Sequence, residues 1–165
     1  MVRIALDVIR GVDYLHKKKI VYCDLKSENV LVSDDGHAKL ADFGISQQTT
    51  RRGDAKQQGT PQYMAPELTG SAAAAPTYAS DVYAFGILLT ELDANTGMVP
   101  YETIDYNNNH FALWKEVRSG LRPALRDDCP LWFRELAVQC MATVPSDRPS
   151  VSTIIDILDK NLRDM

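Results

Sequence analysis

Residues 81–92 run Asp-Val-Tyr-Ala-Phe-Gly-Ile-Leu-Leu-Thr-Glu-Leu, apolar on nearly every side of a helix. A helix without a polar face has to be wrapped by other elements. The segment therefore predicts a buried central helix, and the rest of the fold must supply its walls. Its best apolar run, residues 83–89, is far short of the roughly 18 residues a membrane span needs. Amphipathic helices supply the walls. Ile4, Ala5, Val8, Ile9, Val12 and Leu15 recur at helical spacing, with Arg3, Asp7, Arg10 and Asp13 on the opposite face. Lys17, Lys18 and Lys19 close that helix, where cations suit the negative end of its dipole. Met1 falls at or inside its first turn with no cap before it, so the chain is expected to be cut from something longer. Residues 111–117, 131–141 and 151–162 predict three more helices, the last capped by Ser150 or Ser152.

Between the first helix and the central one the pattern changes. Residues 20–22, 30–32 and 38–41 are short apolar runs, and the last two flank Ser33-Asp34-Asp35-Gly36, a hairpin turn signal. Residues 47–58 are polar and basic without period, which predicts a long surface loop. Residues 71–76 and 106–109 look like loop insertions. The fold class expected is mainly α with a small β-hairpin, in one domain of 165 residues that buries roughly 70% of its extended surface. A net charge of -4 argues against a nucleic-acid binder, which would carry a basic face. Cys23, Cys129 and Cys140 lack metal-ligand spacing and fit a reducing compartment. A soluble intracellular unit is expected.

The chemistry lies in residues 21–67. Asp24-Leu25-Lys26-Ser27-Glu28-Asn29 comes first, then Asp42-Phe43-Gly44, then Gly59-Thr60 and Met64-Ala65-Pro66-Glu67. Taken singly, Asp24 or Asp42 reads as a turn or cap residue and Lys26 as a solvated lysine. In this order, with a hairpin between the first two, they resemble the large C-terminal lobe of a eukaryotic protein kinase. The resemblance continues in Asp81-Val82-Tyr83-Ala84-Phe85-Gly86 and in Asp147-Arg148-Pro149, so it covers essentially the whole chain.

That resemblance implies a catalytic loop at 22–29, an activation segment at 42–67 containing Phe43 and Gly44, and a helical subdomain at 77–165. It implies ATP and Mg²⁺ as cofactors and a protein substrate. Asp24 would accept the substrate hydroxyl's proton, and Asn29 and Asp42 would offer the hard oxygens that Mg²⁺ prefers. Lys26 would steady the γ-phosphate, and Leu31 would floor the adenine pocket. Lys26 and Thr60 mark the serine/threonine type; residues 59–67 look closest to the tyrosine-kinase-like group. Glu67 and Arg148 would form a buried ion pair. Asp81 has two open readings, a helix N-cap (with Ser80 competing) or an acceptor for the catalytic-loop backbone.

Two departures from the family pattern stand out. The usual His-Arg before the catalytic Asp is Tyr22-Cys23 here, so a phosphate on the activation segment lacks its usual cation. The small N-terminal lobe, with its Gly-rich loop and strand lysine, has no counterpart in the sequence. The expectation is thus a C-lobe only, inactive alone, from a cytoplasmic protein or the intracellular part of a larger one. No nucleic-acid partner and no membrane span are expected in this chain. The alternative is a pseudokinase-like interaction module.

Overall fold

The computed structural model describes residues 1–48, 59–70, 74–94, 99–102, 104 and 109–165. Helix α1 (Val2–Lys17) buries Val2, Ala5, Leu6, Val8, Ile9, Val12 and Leu15. Lys18 terminates it, Lys19 turns the chain with φ 61°, and Met1 offers no side-chain cap. Four short strands follow: β1 (Ile20–Val21), β2 (Val30–Val32), β3 (Ala38–Leu40) and β4 (Gln47–Gln48). β2 and β3 pair antiparallel with Val32 opposite Ala38, closed by the expected turn with Gly36 at φ 79°. Asp7 of α1 holds this hairpin down, accepting from the Ala38 amide at 3.1 Å and contacting His37 Nδ1 at 2.9 Å.

The pairing of β1 with β4 corrects the expected loop. Gln47 and Gln48 lie opposite Val21 and Ile20 as a second, two-stranded sheet. Glutamines carry no apolar alternation, and two residues are too few to show a period; backbone bonds to β1 decide the conformation. Residues 49–58, 71–73 and 106–108 of the expected loops lie outside the described residues.

Helix α2 (Tyr78–Ala94) is the central one, and every residue from Ser80 to Thr90 is buried. Thr77 and Ser80 cap it reciprocally: the Thr77 amide donates to Ser80 Oγ at 3.0 Å, and the Ser80 amide to Thr77 Oγ1 at 3.4 Å. The N-cap reading of Asp81 is thereby overturned, and so is Ser80 as the N-cap itself. Asp81 sits inside the first turn and looks elsewhere. Around α2 stand α3 (His110–Arg118), α4 (Leu131–Cys140) and α5 (Val151–Arg163). Gly86 lets α4 come close, because a Cβ there would meet Met141 Cγ at 2.6 Å and Cys140 Cβ at 2.9 Å. α5 packs on α1, and Arg10 reaches across to Asp159 at 2.9 Å. Among the described residues no helix is long and apolar enough to cross a membrane.

Caps are locally encoded. Asn109 accepts from the Phe111 and Ala112 amides to start α3. Ser150 accepts from the Thr153 amide at 3.1 Å to start α5, and Ser152 contacts Ser150's hydroxyl without capping. Ser150→Ala is expected to cost about 1 kcal/mol, read as a lower urea midpoint with unchanged slope, whereas Ser152→Ala should leave it within error.

Candidate active site

The site is built on Asp81, whose side chain is 2% exposed. Its Oδ2 accepts from the Tyr22 amide at 2.8 Å and its Oδ1 from the Cys23 amide at 2.9 Å. Of the two readings the sequence left open, this is the backbone-acceptor geometry. His16 of α1 completes the arrangement, with Nε2 2.8 Å from Asp81 Oδ2 and its ring 4.2 Å from the Tyr78 ring. The two amides point at one carboxylate because Cys23 takes φ 72°, a conformation that costs a non-glycine residue roughly 1–2 kcal/mol. Burial, reinforced by Asp81, pushes the Cys23 thiol up to about 12, so it stays a neutral thiol.

The next residues converge. Asp24 Oδ1 accepts from Thr60 Oγ1 at 2.8 Å. Asp24 Oδ2 accepts from Asn29 Nδ2 at 3.1 Å and lies 3.3 Å from Lys26 Nζ. Lys26 also donates to Thr60 Oγ1 at 3.0 Å. Asp24, Lys26 and Thr60 thus form a closed triangle, with Lys26 turned onto the other two. Asn29 Nδ2 also donates to the Asp24 carbonyl at 2.9 Å, which fixes the amide and leaves its oxygen as an acceptor.

The hairpin returns the chain to the same place. The Ala41 amide donates to the Asn29 carbonyl at 2.9 Å, so Asp42 follows directly on the residue bonded to Asn29. Asp42 is exposed at φ 51°, with Oδ1 accepting from the Gly44 amide at 3.1 Å. Tyr22 is fully buried and donates its hydroxyl to the Ala41 carbonyl; its ring meets Phe43 edge-on at 5.6 Å. Burial, with Asp24 and Asp42 nearby, pushes that phenol up to about 12. Phe43 is 52% exposed and Leu31 60%, so both present apolar surface to the outside.

The far end of the segment is anchored below. Gly59 at φ 114° passes so near Cys23 that a Cβ would sit 2.9 Å from its carbonyl oxygen. Trp114 donates its indole N–H to the Pro61 carbonyl at 3.0 Å. Arg148, with its side chain 1% exposed, forks onto Glu67 with both bonds at 2.7 Å. It also donates to the carbonyls of Ala142 and Ala79 at 2.9 and 2.8 Å. A further cluster escaped the sequence reading. Tyr63 OH donates to Glu91 Oε2 at 2.7 Å and Ser27 Oγ to Glu91 Oε1 at 3.0 Å, joining the 22–29 loop, the 59–67 segment and α2. Burial raises the Glu91 carboxyl. His16, Ser27, Tyr63 and Glu91 lie on separate elements, and no local spacing links them.

The protein kinase domain family matches residues 1–158 of this sequence. The chain belongs to the protein kinase family. The kinase domain is 37% identical over 161 residues to the serine/threonine/tyrosine-protein kinase HT1 of Arabidopsis thaliana, covering 97% of this chain and 40% of that protein. It is 37% identical over 170 residues to a dual serine/threonine and tyrosine protein kinase of Apis mellifera, covering 96% of this chain and 16% of that protein. To the dual specificity protein kinase pyk3 of Dictyostelium discoideum it is 33% identical over 161 residues, covering 96% and 11%. The chain spans two fifths or less of the length of these relatives.

The donor set suits the cofactors that the family implies. Asn29 and Asp42 offer hard oxygens from adjoining backbone, and Mg²⁺ on a nucleotide needs only one or two protein carboxylate-type ligands beside the phosphates. Among the described residues no three His, Cys, Asp or Glu side chains gather into a self-sufficient metal cage.

Proposed function

We propose that this chain is the C-terminal lobe of a serine/threonine kinase of the tyrosine-kinase-like group, transferring the γ-phosphate of ATP to protein hydroxyls. The observation that carries the reading is the Asp24–Lys26–Thr60 triangle beside Asn29, with the hairpin delivering Asp42 to the same edge. Asp24 accepts a substrate hydroxyl's hydrogen bond and then its proton, while Thr60 and Asn29 hold the carboxylate in place. Lys26 reaches the transferred phosphoryl from the same triangle, and its link to Thr60 supports serine or threonine as acceptor. Asn29 and Asp42 would hold Mg²⁺, which would supply positive charge against the developing charge of the phosphates. Leu31 offers an apolar surface for adenine.

The interaction-module alternative is less well supported, because Asp24, Asn29 and Asp42 are all present and the named relatives are kinases. The partial-lobe reading rests on the sequence, which carries no Gly-rich phosphate loop, and on the exposed apolar side chains of Leu31, Val32 and Phe43. The three free cysteines accord with a cytoplasmic setting or the intracellular part of a larger protein.

Radiolabelled ATP tests both parts. The 165-residue chain alone should transfer no phosphate above an Asp24→Asn control; Asp24-dependent transfer would overturn the partial-lobe reading. The full-length product that carries this segment should label serine and threonine in a generic protein substrate, and lose that labelling on Asp24→Asn. A full-length product with no Asp24-dependent transfer would overturn the kinase reading.

A further inference from the structure

Helix α3 grips the 61–69 stretch at both ends. Trp114 and Arg118 stand one turn apart on that helix, so their side chains leave from one face. Trp114, 6% exposed, donates its indole N–H to the Pro61 carbonyl at 3.0 Å. Arg118 donates to the Thr69 carbonyl at 2.7 Å and to Thr69 Oγ1 at 3.0 Å. Between these points the backbone makes two short turns, Pro61–Tyr63 and Pro66–Leu68. The second is firmly closed: Thr69 Oγ1 donates to the Pro66 carbonyl at 2.8 Å, and Arg148 fixes Glu67 within it. The first is looser. Proline has no amide to donate, so the carbonyl is the one polar backbone group by which Pro61 can be held. The Met64 amide lies 3.5 Å from that carbonyl, beyond the ordinary range for such a bond, which leaves the indole as the closer donor. Pro61 also follows directly on Thr60, whose hydroxyl bonds both Asp24 and Lys26.

We infer that α3 braces this stretch at two points, with Trp114 and Arg118 as positioning residues, and that Trp114 holds Thr60 on Asp24 through the Pro61 peptide. The link to Asp24 rests on its proposed role as acceptor of the substrate hydroxyl's proton. The Thr60 hydroxyl can meet Asp24 and Lys26 together only while its own backbone stays in place. The proline ring fixes φ, so a displaced Pro61 carbonyl cannot be absorbed by rotation about the N–Cα bond and is passed back to Thr60. The helix that carries the brace is itself well seated: Asn109 caps it, and Leu113 and Val117 are buried beside Trp114.

Trp114→Phe keeps an aromatic ring and removes the donor, and Arg118→Met keeps the stem and removes the other grip. In the 165-residue chain both variants should keep the α5 amides protected as in the parent. Hydrogen exchange at the Tyr63 amide, which donates to the Thr60 carbonyl at 3.0 Å, should accelerate about tenfold in Trp114→Phe. In Arg118→Met a rise of about tenfold should fall instead on the Thr69 amide, which closes onto the Pro66 carbonyl at 3.2 Å. Catalysis is read in the full-length product as a double-mutant cycle with Thr60→Val. Trp114→Phe alone should lower kcat about tenfold with KM for ATP unchanged, yet change kcat by less than about twofold once Thr60 is valine. A ring that only fills the core would give additive losses. Additive losses, or a Thr60→Val enzyme as active as the parent, overturn the link to Asp24. Unchanged Tyr63 exchange in a folded Trp114→Phe overturns the brace. If Trp114→Phe loses its α5 protection, Arg118→Met decides, and unchanged exchange at Thr69 overturns the brace. A full-length parent without Asp24-dependent transfer means that the kinase reading fails; the exchange at Tyr63 and Thr69 then decides the brace by itself.

Discussion

Arg148→Ala should destabilise the kinase domain by roughly 3–5 kcal/mol, the cost of breaking a buried pair from one side. The guanidinium is 1% exposed and satisfies two oxygens of Glu67 and the carbonyls of Ala142 and Ala79 together. Alanine leaves all four acceptors without that donor, and Glu67, 17% exposed, is only partly rescued by water. The Arg148 guanidinium also lies over Tyr83, its carbon 5.0 Å from the ring centroid, so that contact is lost as well. Arg148→Lys should fall between, because an ammonium keeps the charge without the planar fork. Urea unfolding of wild type and both variants measures this directly. A shift for Arg148→Ala within about 1 kcal/mol, the range of an exposed pair, would mean that the pair does not hold the segment.

That pair also illustrates what a sequence can convey. Glu67 and Arg148 are 81 positions apart, and neither periodicity nor charge pattern relates them. Only the family resemblance relates them. The central helix was different: twelve residues without a polar face permit only burial, and α2 is buried from Ser80 to Thr90. The hairpin was equally legible, because Asp-Gly between two apolar runs has few alternatives. Legibility ended where backbone bonds or distant side chains decide the outcome. Gln47 and Gln48 are strand residues only because β1 lies beside them. His16 lies near the end of α1 with nothing local to mark it, and its partner Asp81 is 65 positions away. The left-handed conformation of Cys23 leaves no compositional trace, since cysteine has no leaning toward it, whereas Asp42 is of a type that visits that region.

Asp81→Ala should be comparably severe, by a different route. The carboxylate accepts from the amides of Tyr22 and Cys23 and meets His16 Nε2. A buried donor left without its acceptor costs about 1–3 kcal/mol, so two amides and an imidazole together should cost roughly 3–5 kcal/mol. More telling is where the loss falls. Cys23 at φ 72° relaxes toward extended backbone once its amide is released, and Asp24 is the next residue along. The 22–29 loop should therefore loosen before the fold does. Hydrogen exchange at Tyr22 and Cys23 should rise by about a hundredfold or more, equivalent to nearly 3 kcal/mol of local opening, while amides in α5 keep the protection set by global unfolding. Asp81→Asn should be intermediate, since its one remaining acceptor oxygen serves one amide and its NH₂ opposes the other. Protection of Tyr22 and Cys23 retained in Asp81→Ala, with a stability loss under about 1 kcal/mol, would show that water substitutes for the carboxylate. Asp81 would then be a helix residue that happens to lie beneath the loop, and the site would have to derive its rigidity from Tyr22 and Asn29 instead.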